Sequence, residues 1–142
     1  MSYSLSFSKA ILVVIFISDK IRQEQFEFLS TAAISKILNI PKPTLVKILQ
    51  GLSSAGIIET KEGKQGGIRL AKDPSKITVL DIMNAVEKGK TLFQTSFNIL
   101  AEGKRPDKAQ AFLTTIFRKA EDDMKQALAQ QTIDDILKEM GK

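Results

Sequence analysis

The chain of 142 residues contains no cysteine and no histidine. It therefore cannot form disulfides, zinc fingers, cysteine-ligated iron–sulfur clusters or nucleophilic sites that pair serine or cysteine with histidine. A metal would need oxygen ligands alone, and no acidic loop of the Asp-x-Asp-x-Asp-Gly type is present. The sequence predicts no metal site and no cofactor.

Carboxylates in a catalytic arrangement are also lacking. Without histidine or cysteine, acid–base chemistry would fall to carboxylates or lysine. The pairs Asp122-Asp123 and Asp134-Asp135 are sequence neighbours, so on a helix their side chains diverge by about 100°. These pairs are typical of solvated helix faces, and we expect that the protein is not an enzyme.

Long apolar runs are scarce as well. The longest, residues 10–17, has eight apolar residues, against the roughly 20 that span a bilayer. A signal peptide is the alternative, because Lys9 precedes the run, but residues 18–22 contain no small-x-small cleavage site. We therefore expect a buried helix over residues 6–19 of a cytoplasmic protein, followed by a loop over residues 20–27, and no membrane association.

Positive charge is concentrated in the first half of the chain. Residues 1–72 hold 10 Lys or Arg against 5 Asp or Glu, whereas residues 73–142 hold 11 against 11. A basic half joined to a neutral half indicates a polyanion-binding module followed by a segment with another role. An apolar fraction of 43% is enough to build a core.

Residues 29–56 have the pattern of a helix-turn-helix. Ser30 or Thr31 can cap a first helix, and Asn39 together with two prolines ends it. Pro43 suits the start of the next helix, whose apolar positions are Leu45, Ile48, Leu49 and Leu52. Two short helices and a tight turn resemble many helical hairpins, so this pattern alone is a weak indication.

A glycine-rich stretch, residues 59–70, follows the second helix. It lacks the spacing and the hydroxyl of a Walker loop, and the dinucleotide fingerprint Gly-x-Gly-x-x-Gly is also absent. A hairpin fits better, with strands at residues 57–58 and 68–70 and glycines of positive φ at its tip. A helix-turn-helix followed by a hairpin is the order of a winged helix. A further helix is expected after Thr78, which stands at capping-box spacing from Asp81.

The longest periodic segment begins after Pro106. Its apolar stripe is longer than a small winged domain needs, so we interpret it as a dimerisation helix, with folding back onto its own domain as the alternative. A short final helix over residues 132–137 is expected to pack beside it. The predicted dimerisation residues are Phe112, Leu113, Ile116, Phe117, Ala120, Met124 and Leu128.

The winged-helix interpretation assigns roles to individual residues. In a helix-turn-helix the start of the second helix enters the major groove, where Lys47 can reach a guanine edge or a phosphate. The first helix can contact a phosphate, and the hairpin can flank the backbone or minor groove. The candidate contacts to double-stranded DNA are Ser30, Thr31, Lys42, Pro43, Thr44, Lys47, Lys61, Lys64 and Arg69.

Several strings along the chain resemble the IscR/NsrR/CymR-type family of bacterial winged-helix regulators. They are Ile48-Leu-x-x-Leu52, Ala55-Gly-Ile-Ile58, Gly63-x-x-Gly-Gly67-x-x-Leu-Ala71, Pro74-x-x-Ile-Thr78, Ala85-Val-Glu87 and Thr132-Ile-Asp-Asp-Ile-Leu137. The resemblance covers nearly the whole chain. It implies a homodimer that binds a roughly palindromic promoter site, with long helices crossed or exchanged between the subunits.

The chain departs from this family at three places. The three cysteines that cluster-binding members carry after the Ala-Val-Glu segment are absent, which implies the cluster-free branch. The arginine that such wings insert into the minor groove is replaced by Glu62, and the polar pair that touches bases corresponds to Val46-Lys47. The resemblance therefore implies a different DNA sequence or a different strength of binding.

Taken together, the sequence predicts a mainly α fold with a small β-hairpin: a winged helix-turn-helix domain plus a long C-terminal dimerisation helix. The expected division is residues 1–87 for the DNA-binding domain, 88–106 for a connecting segment and 107–142 for dimerisation. The predicted function is a homodimeric repressor without a cluster. The alternative is a winged-helix protein that acts through a protein partner. The connecting segment either lines a small-molecule pocket or covers the core, and the effector is unknown.

Overall fold

The computed structural model describes residues 5–23, 28–64 and 66–142. The described part is mainly helical, with one two-stranded sheet, as the sequence predicted. Its elements are α1 (Leu5–Arg22), α2 (Thr31–Leu38), α3 (Lys42–Ser54), β1 (Ile58–Lys61), β2 (Gly67–Leu70), a 3-10 turn (Pro74–Lys76), α4 (Val79–Val86), α5 (Lys104–Ala129) and α6 (Ile133–Met140).

Helix α1 lies at the centre of the fold. It contacts α2, α3, α4, α6 and β2, because apolar residues occur nearly all round it. It ends at Arg22, three residues beyond the predicted end, so the predicted loop begins later than expected; residues 24–27 of that loop lie outside the described residues. Within the described ranges, no helix has both the length and the apolar character needed to cross a bilayer.

Helices α2 and α3 form the predicted helix-turn-helix. Ser30, not Thr31, is the N-cap of α2: its hydroxyl oxygen accepts a hydrogen bond from the N–H of Ala33 at 3.1 Å. Asn39 ends α2 in the left-handed conformation, with φ 52°, which asparagine tolerates better than most residues. The apolar face of α3 is buried at the four predicted positions, Leu45, Ile48, Leu49 and Leu52.

The hairpin of β1 and β2 is the predicted wing, and its strands are longer than expected. The antiparallel pairing runs from Ile58 opposite Leu70 to Lys61 opposite Gly67. Leu29, just before α2, extends this sheet: its N–H donates to the carbonyl of Ile68 at 2.9 Å and its carbonyl accepts from the N–H of Ile68 at 2.7 Å. The wing is therefore fastened to the start of the helix-turn-helix.

Gly67 makes this close approach possible. Its φ of 144° is one that side chains disfavour, and an added Cβ would lie 2.5 Å from the carbonyl oxygen of Leu29. The glycines of residues 59–70 thus shape the hairpin and its attachment to the segment before α2.

Helices α4 and α6 begin side by side. Thr78 and Asp81 form the predicted capping box of α4, and Thr132 and Asp135 form a second box at the start of α6. The two caps are bridged, since the N–H of Ile133 donates to the carbonyl of Ile77 at 2.8 Å. The expectation that the final helix packs beside the long helix was wrong: α6 contacts α1 and the 3-10 turn, and its Ile133 and Leu137 belong to the core.

Helix α5 is the longest element, and no residue along it is fully buried. It begins at Lys104, inside the predicted connecting segment, and it contacts α4. The irregular stretch before it is tied to the helix by two contacts: the ring of Phe93 stacks on Phe117 with centroids 4.7 Å apart, and the N–H of Leu92 donates to the carboxylate of Glu121. The proposed division of the chain into three units stays a prediction.

Candidate nucleic-acid interface

The N-terminal half of α3 presents polar and cationic groups to solvent. Lys42, Pro43 and Lys47 are exposed, and Thr44 is half-buried. Val46 lies between them in sequence and is 40% exposed, an apolar side chain on an otherwise polar helix face. The four α3 residues predicted from sequence therefore lie within the first two turns of one helix.

The first turn of α3 has no side-chain cap. Its N-cap residue is Pro41, which makes no side-chain hydrogen bond to the helix. The first N–H groups of a helix lack acceptors inside the helix, and the helix dipole adds positive potential there. This end of α3 is thus suited to an anion, in addition to the charges of Lys42 and Lys47.

Ser30 and Thr31 lie at the corresponding end of α2. The oxygen of Ser30 already accepts a hydrogen bond from Ala33, but its hydroxyl hydrogen remains a donor. Thr31 is the first residue of α2 and is half-buried. Hydroxyl groups can donate to a phosphate oxygen, and the contact of these two residues with DNA stays a prediction.

Arg69 is held by other groups of the wing. Its Nε lies 2.5 Å from Oε1 of Glu59, the residue directly opposite it in the hairpin. Its guanidinium also lies 4.7 Å from the centre of the Phe28 ring. An arginine with both a carboxylate partner and an aromatic surface beneath it is fixed in position. Arg69 is thus placed to stiffen the wing as well as to add charge.

Phe28 is a contributor to the site that sequence reasoning missed. Its ring lies under Nζ of Lys61 as well, at 5.6 Å from the ring centre. The available signal was the pair Phe28-Leu29 directly before the helix cap, which resembles a short strand with one apolar residue on each face. The ring therefore contacts two cations of the wing.

The wing tip carries Lys64 and Glu62, both exposed. Gly63 between them has φ 104°, so the tight turn depends on glycine. The tip therefore presents one positive and one negative side chain close together, and the carboxylate reduces the attraction that Lys64 would otherwise exert on phosphate.

The apolar stripe of α5 divides into an open and a covered part. Phe112 is 68% exposed, Leu113 40% and Ile116 45%. Phe117 is half-buried under Phe93, and Met124 and Leu128 are half-buried as well, whereas Ala120 is exposed. The chain's own segments cover part of the predicted dimerisation face and leave the first half open.

No group of three or more acidic side chains able to hold a metal ion occurs within the described ranges. Since the chain also has no cysteine or histidine, its donor set does not fit an iron–sulfur cluster, which requires thiolate or imidazole ligands.

Known proteins match both the sequence and this geometry. A sequence profile of the Rrf2 family, described as iron-dependent transcriptional regulators, matches residues 3–139. The chain belongs to the Rrf2 family. The HTH-type transcriptional regulator IscR of Cereibacter sphaeroides is 30% identical over 112 residues, 79% of this chain and 72% of that protein. A relative from Aquifex aeolicus is 44% identical over 50 residues, which is only 35% of either chain.

The solved structure of T. potens IscR has a TM-score of 0.71 at 20% identity, covering 99% of this chain and 88% of that one. This likeness concerns the fold. The predicted winged-helix fold and the resemblance to IscR-type regulators are confirmed. The family consists of transcriptional regulators, so the prediction that the chain is not an enzyme is confirmed too. The protein is a transcriptional regulator of the Rrf2 family with a DNA-binding fold.

Proposed function

We propose that this protein is a homodimeric repressor that binds double-stranded DNA in the cytoplasm and works without an iron–sulfur cluster. The observation that carries the proposal is the N-terminal half of α3. Its first turn lacks a side-chain cap, and the exposed Lys42 and Lys47 lie within its first two turns. In helix-turn-helix proteins this end of the second helix enters the major groove. Bound at a promoter, a dimer would repress by occupying the duplex.

Within this proposal, α3 reads the bases. Lys47 donates to guanine O6 and N7, or to a phosphate, and Thr44 contacts a base edge. The exposed Val46 favours contact with a thymine methyl group, since an apolar side chain adds no hydrogen bond but packs well on that methyl. Ser30, Thr31 and the wing lysines would contact phosphates and fix the register of α3.

The homodimer is proposed from the open face of α5. Ile116 lies four residues after Phe112 and three after Leu113, so it connects the three side chains into one strip on the helix. A second copy of the same strip would cover it, and a two-fold axis would place two α3 helices against the two halves of a palindrome.

The dimer can be tested with Ile116→Lys. A buried lysine at the centre of the strip should shift the protein to monomers in analytical ultracentrifugation. Ala111→Lys adds the same charge at an exposed position that is neither three nor four residues from any residue of the strip, and it should leave the dimer intact. A wild-type monomer, or dimerisation unaffected by Ile116→Lys, would contradict this part of the proposal.

DNA binding can be tested by selecting duplexes from a random library with the full-length protein. The selected duplex should bind more tightly than a scrambled one, and its affinity should fall steeply with salt. Lys47→Ala should reduce the affinity for the selected duplex by about 1–3 kcal/mol if Lys47 reads a base. Failure to enrich any sequence, or an affinity insensitive to salt, would refute the proposal.

A second candidate is favoured by one observation, the carboxylate of Glu62 at the wing tip. It stands where the resemblance implies a groove-entering arginine, and it opposes contact with phosphate. A winged-helix protein that acts mainly through a protein partner would account for this residue. Chromatin immunoprecipitation without DNA enrichment, together with one abundant co-purified protein, would favour this second candidate.

A further inference from the structure

A groove of about 380 Å³ runs beside α3 on the face that carries Lys47 and Gln50. Its lining comes from Ser6 of α1, from α3, from the last turn of α4, and from Lys88 and Lys90 in the segment that follows α4. It adjoins a larger groove of about 640 Å³, which shares the lining residues Lys88 and Lys90. Lysines from two separate parts of the chain therefore meet beside the helix expected to read DNA.

The charges in this groove are only partly neutralised. Nζ of Lys90 lies 3.2 Å from Oε2 of the buried Glu87. In the ranges that the structure describes, no acidic side chain is within ion-pair distance of Lys47 or Lys88. The C-terminal end of α4 adds roughly half a negative charge. Glu87 and this helix end thus offset about half of the three lysine charges, and the groove remains positive.

The close crossing of α3 and α4 brings these lysines into place. Gly51 of α3 faces α4, and an added Cβ there would lie 2.8 Å from the carbonyl oxygen of Ala85. Because the helices touch at a glycine, the end of α4 lies near the α3 surface, and Lys88 follows it directly. The packing of the α3 backbone on α4 therefore places Lys88 beside α3.

A helix in the major groove has phosphates along both sides. The groove is about 12 Å wide, and a helix with its side chains measures about 10–12 Å. The wing, built from β1 and β2, can contact phosphates from its own position, but it contributes no residue to the groove beside α3. A backbone phosphate next to α3 would therefore meet Lys47 together with Lys88 and Lys90.

We infer that this groove is a second contact surface for the DNA backbone, in which Lys88 and Lys90 bind phosphate beside α3. The inference rests on the proposed DNA binding. Lys90 is anchored by Glu87 but keeps further N–H donors, and Lys88 is exposed. Such contacts hold α3 in register without reading sequence.

The test uses the full-length protein, its selected duplex and a scrambled duplex of equal length, titrated between about 50 and 200 mM salt. The slope of log affinity against log salt is negative, and Lys88→Ala should make it less steep by about 0.9 for each protomer. The variant should bind both duplexes more weakly than the wild type, by the same factor. Lys88 is chosen because replacing Lys90 would remove the ion pair that Lys90 makes with the buried Glu87. Lys76→Ala, in the 3-10 turn that packs on α6, is the matched control and should not change the slope.

Two outcomes would overturn the inference. One is an unchanged salt slope for Lys88→Ala. The other is a loss confined to the selected duplex, because a phosphate contact does not depend on sequence. In the first case, stabilisation of the wild type by pyrophosphate that is lost in Lys88→Ala would assign the groove to a small anion instead. The proposed function fails separately, if the wild type itself does not prefer the selected duplex.

Discussion

Replacing Gly67 with alanine should lower the free energy of unfolding by about 3–5 kcal/mol. The new Cβ would lie 2.5 Å from the carbonyl oxygen and 2.8 Å from the carbonyl carbon of Leu29, at a φ of 144°. Carbon and oxygen atoms cannot approach so closely, so either β2 or the strand-like segment at Leu29 must move. That movement stretches both hydrogen bonds between Leu29 and Ile68.

The magnitude has two parts. Forcing a side chain into this backbone conformation costs about 1–3 kcal/mol. Losing two backbone hydrogen bonds adds about 1 kcal/mol each, because water replaces them only in part. Gly63→Ala separates the two parts: Gly63 also has a positive φ, 104°, but nothing lies within 4 Å of an added Cβ. The control should show the conformational cost alone.

Urea unfolding of the two variants at equal concentration measures this difference. Gly67→Ala should be less stable than Gly63→Ala by about 2 kcal/mol. Its DNA affinity should also fall under conditions where both variants are fully folded, because the wing loses its attachment to the start of α2. Equal destabilisation would show that the close approach to Leu29 is not important for stability.

Three further outcomes are expected. Gly51→Ala should destabilise the protein by about 1–3 kcal/mol, because the clash with the Ala85 carbonyl exceeds the helix-propensity gain of about 1 kcal/mol. Urea unfolding shows whether the free energy of unfolding falls or rises. Phe28→Leu keeps an apolar side chain but removes the ring that contacts two wing cations. It should weaken DNA binding in gel shifts by at most about 0.5–1 kcal/mol per cation, the energy of one cation–π contact. Hydrogen bonds from Thr132, chiefly from its backbone N–H, lower the pKa of Asp135. The cap of α6 should therefore be retained above about pH 4 and be lost as the pH falls through the lowered pKa, which NMR of the Asp135 carboxyl carbon can follow.

Each of these expectations has an outcome that contradicts it. A more stable Gly51→Ala would mean that helix propensity outweighs the crossing of α3 and α4. DNA affinity unchanged in Phe28→Leu would mean that the ring does not order the wing cations. If Asp135 titrates at its ordinary value, its capping box does not form in solution.

The sequence allowed prediction wherever local chemistry decides the structure. Asn39 at a helix end and Thr78 at capping-box spacing act through neighbours in the chain, and both were found as expected. The attachment of the wing was not predictable in the same way, because it depends on pairing between Ile68 and Leu29, almost 40 residues apart in sequence. The packing of α6 was missed for a similar reason, since it depends on the bridge between two helix caps.

The apolar stripe of α5 shows a different limit. Its period predicts a face to be covered, but not whether the cover comes from the same chain or from another. The structure places Phe93 over Phe117 and leaves Phe112 and Ile116 open. Phe93 belongs to a segment without periodicity, so no sequence pattern assigns it to this position.

The distribution of charge between the wing and α3 indicates which of them would supply most of the electrostatic attraction to DNA. Arg69 is paired with Glu59, so this pair adds no net charge. Lys61 and Lys64 are opposed by Glu62, which leaves the wing with a small positive excess. The α3 side has Lys42, Lys47 and Lys88 without an acidic partner in the described part of the chain. Most of the salt dependence of binding should therefore come from α3 and the groove beside it, while the wing, fixed by Gly67 and Phe28, would mainly set the position of the duplex.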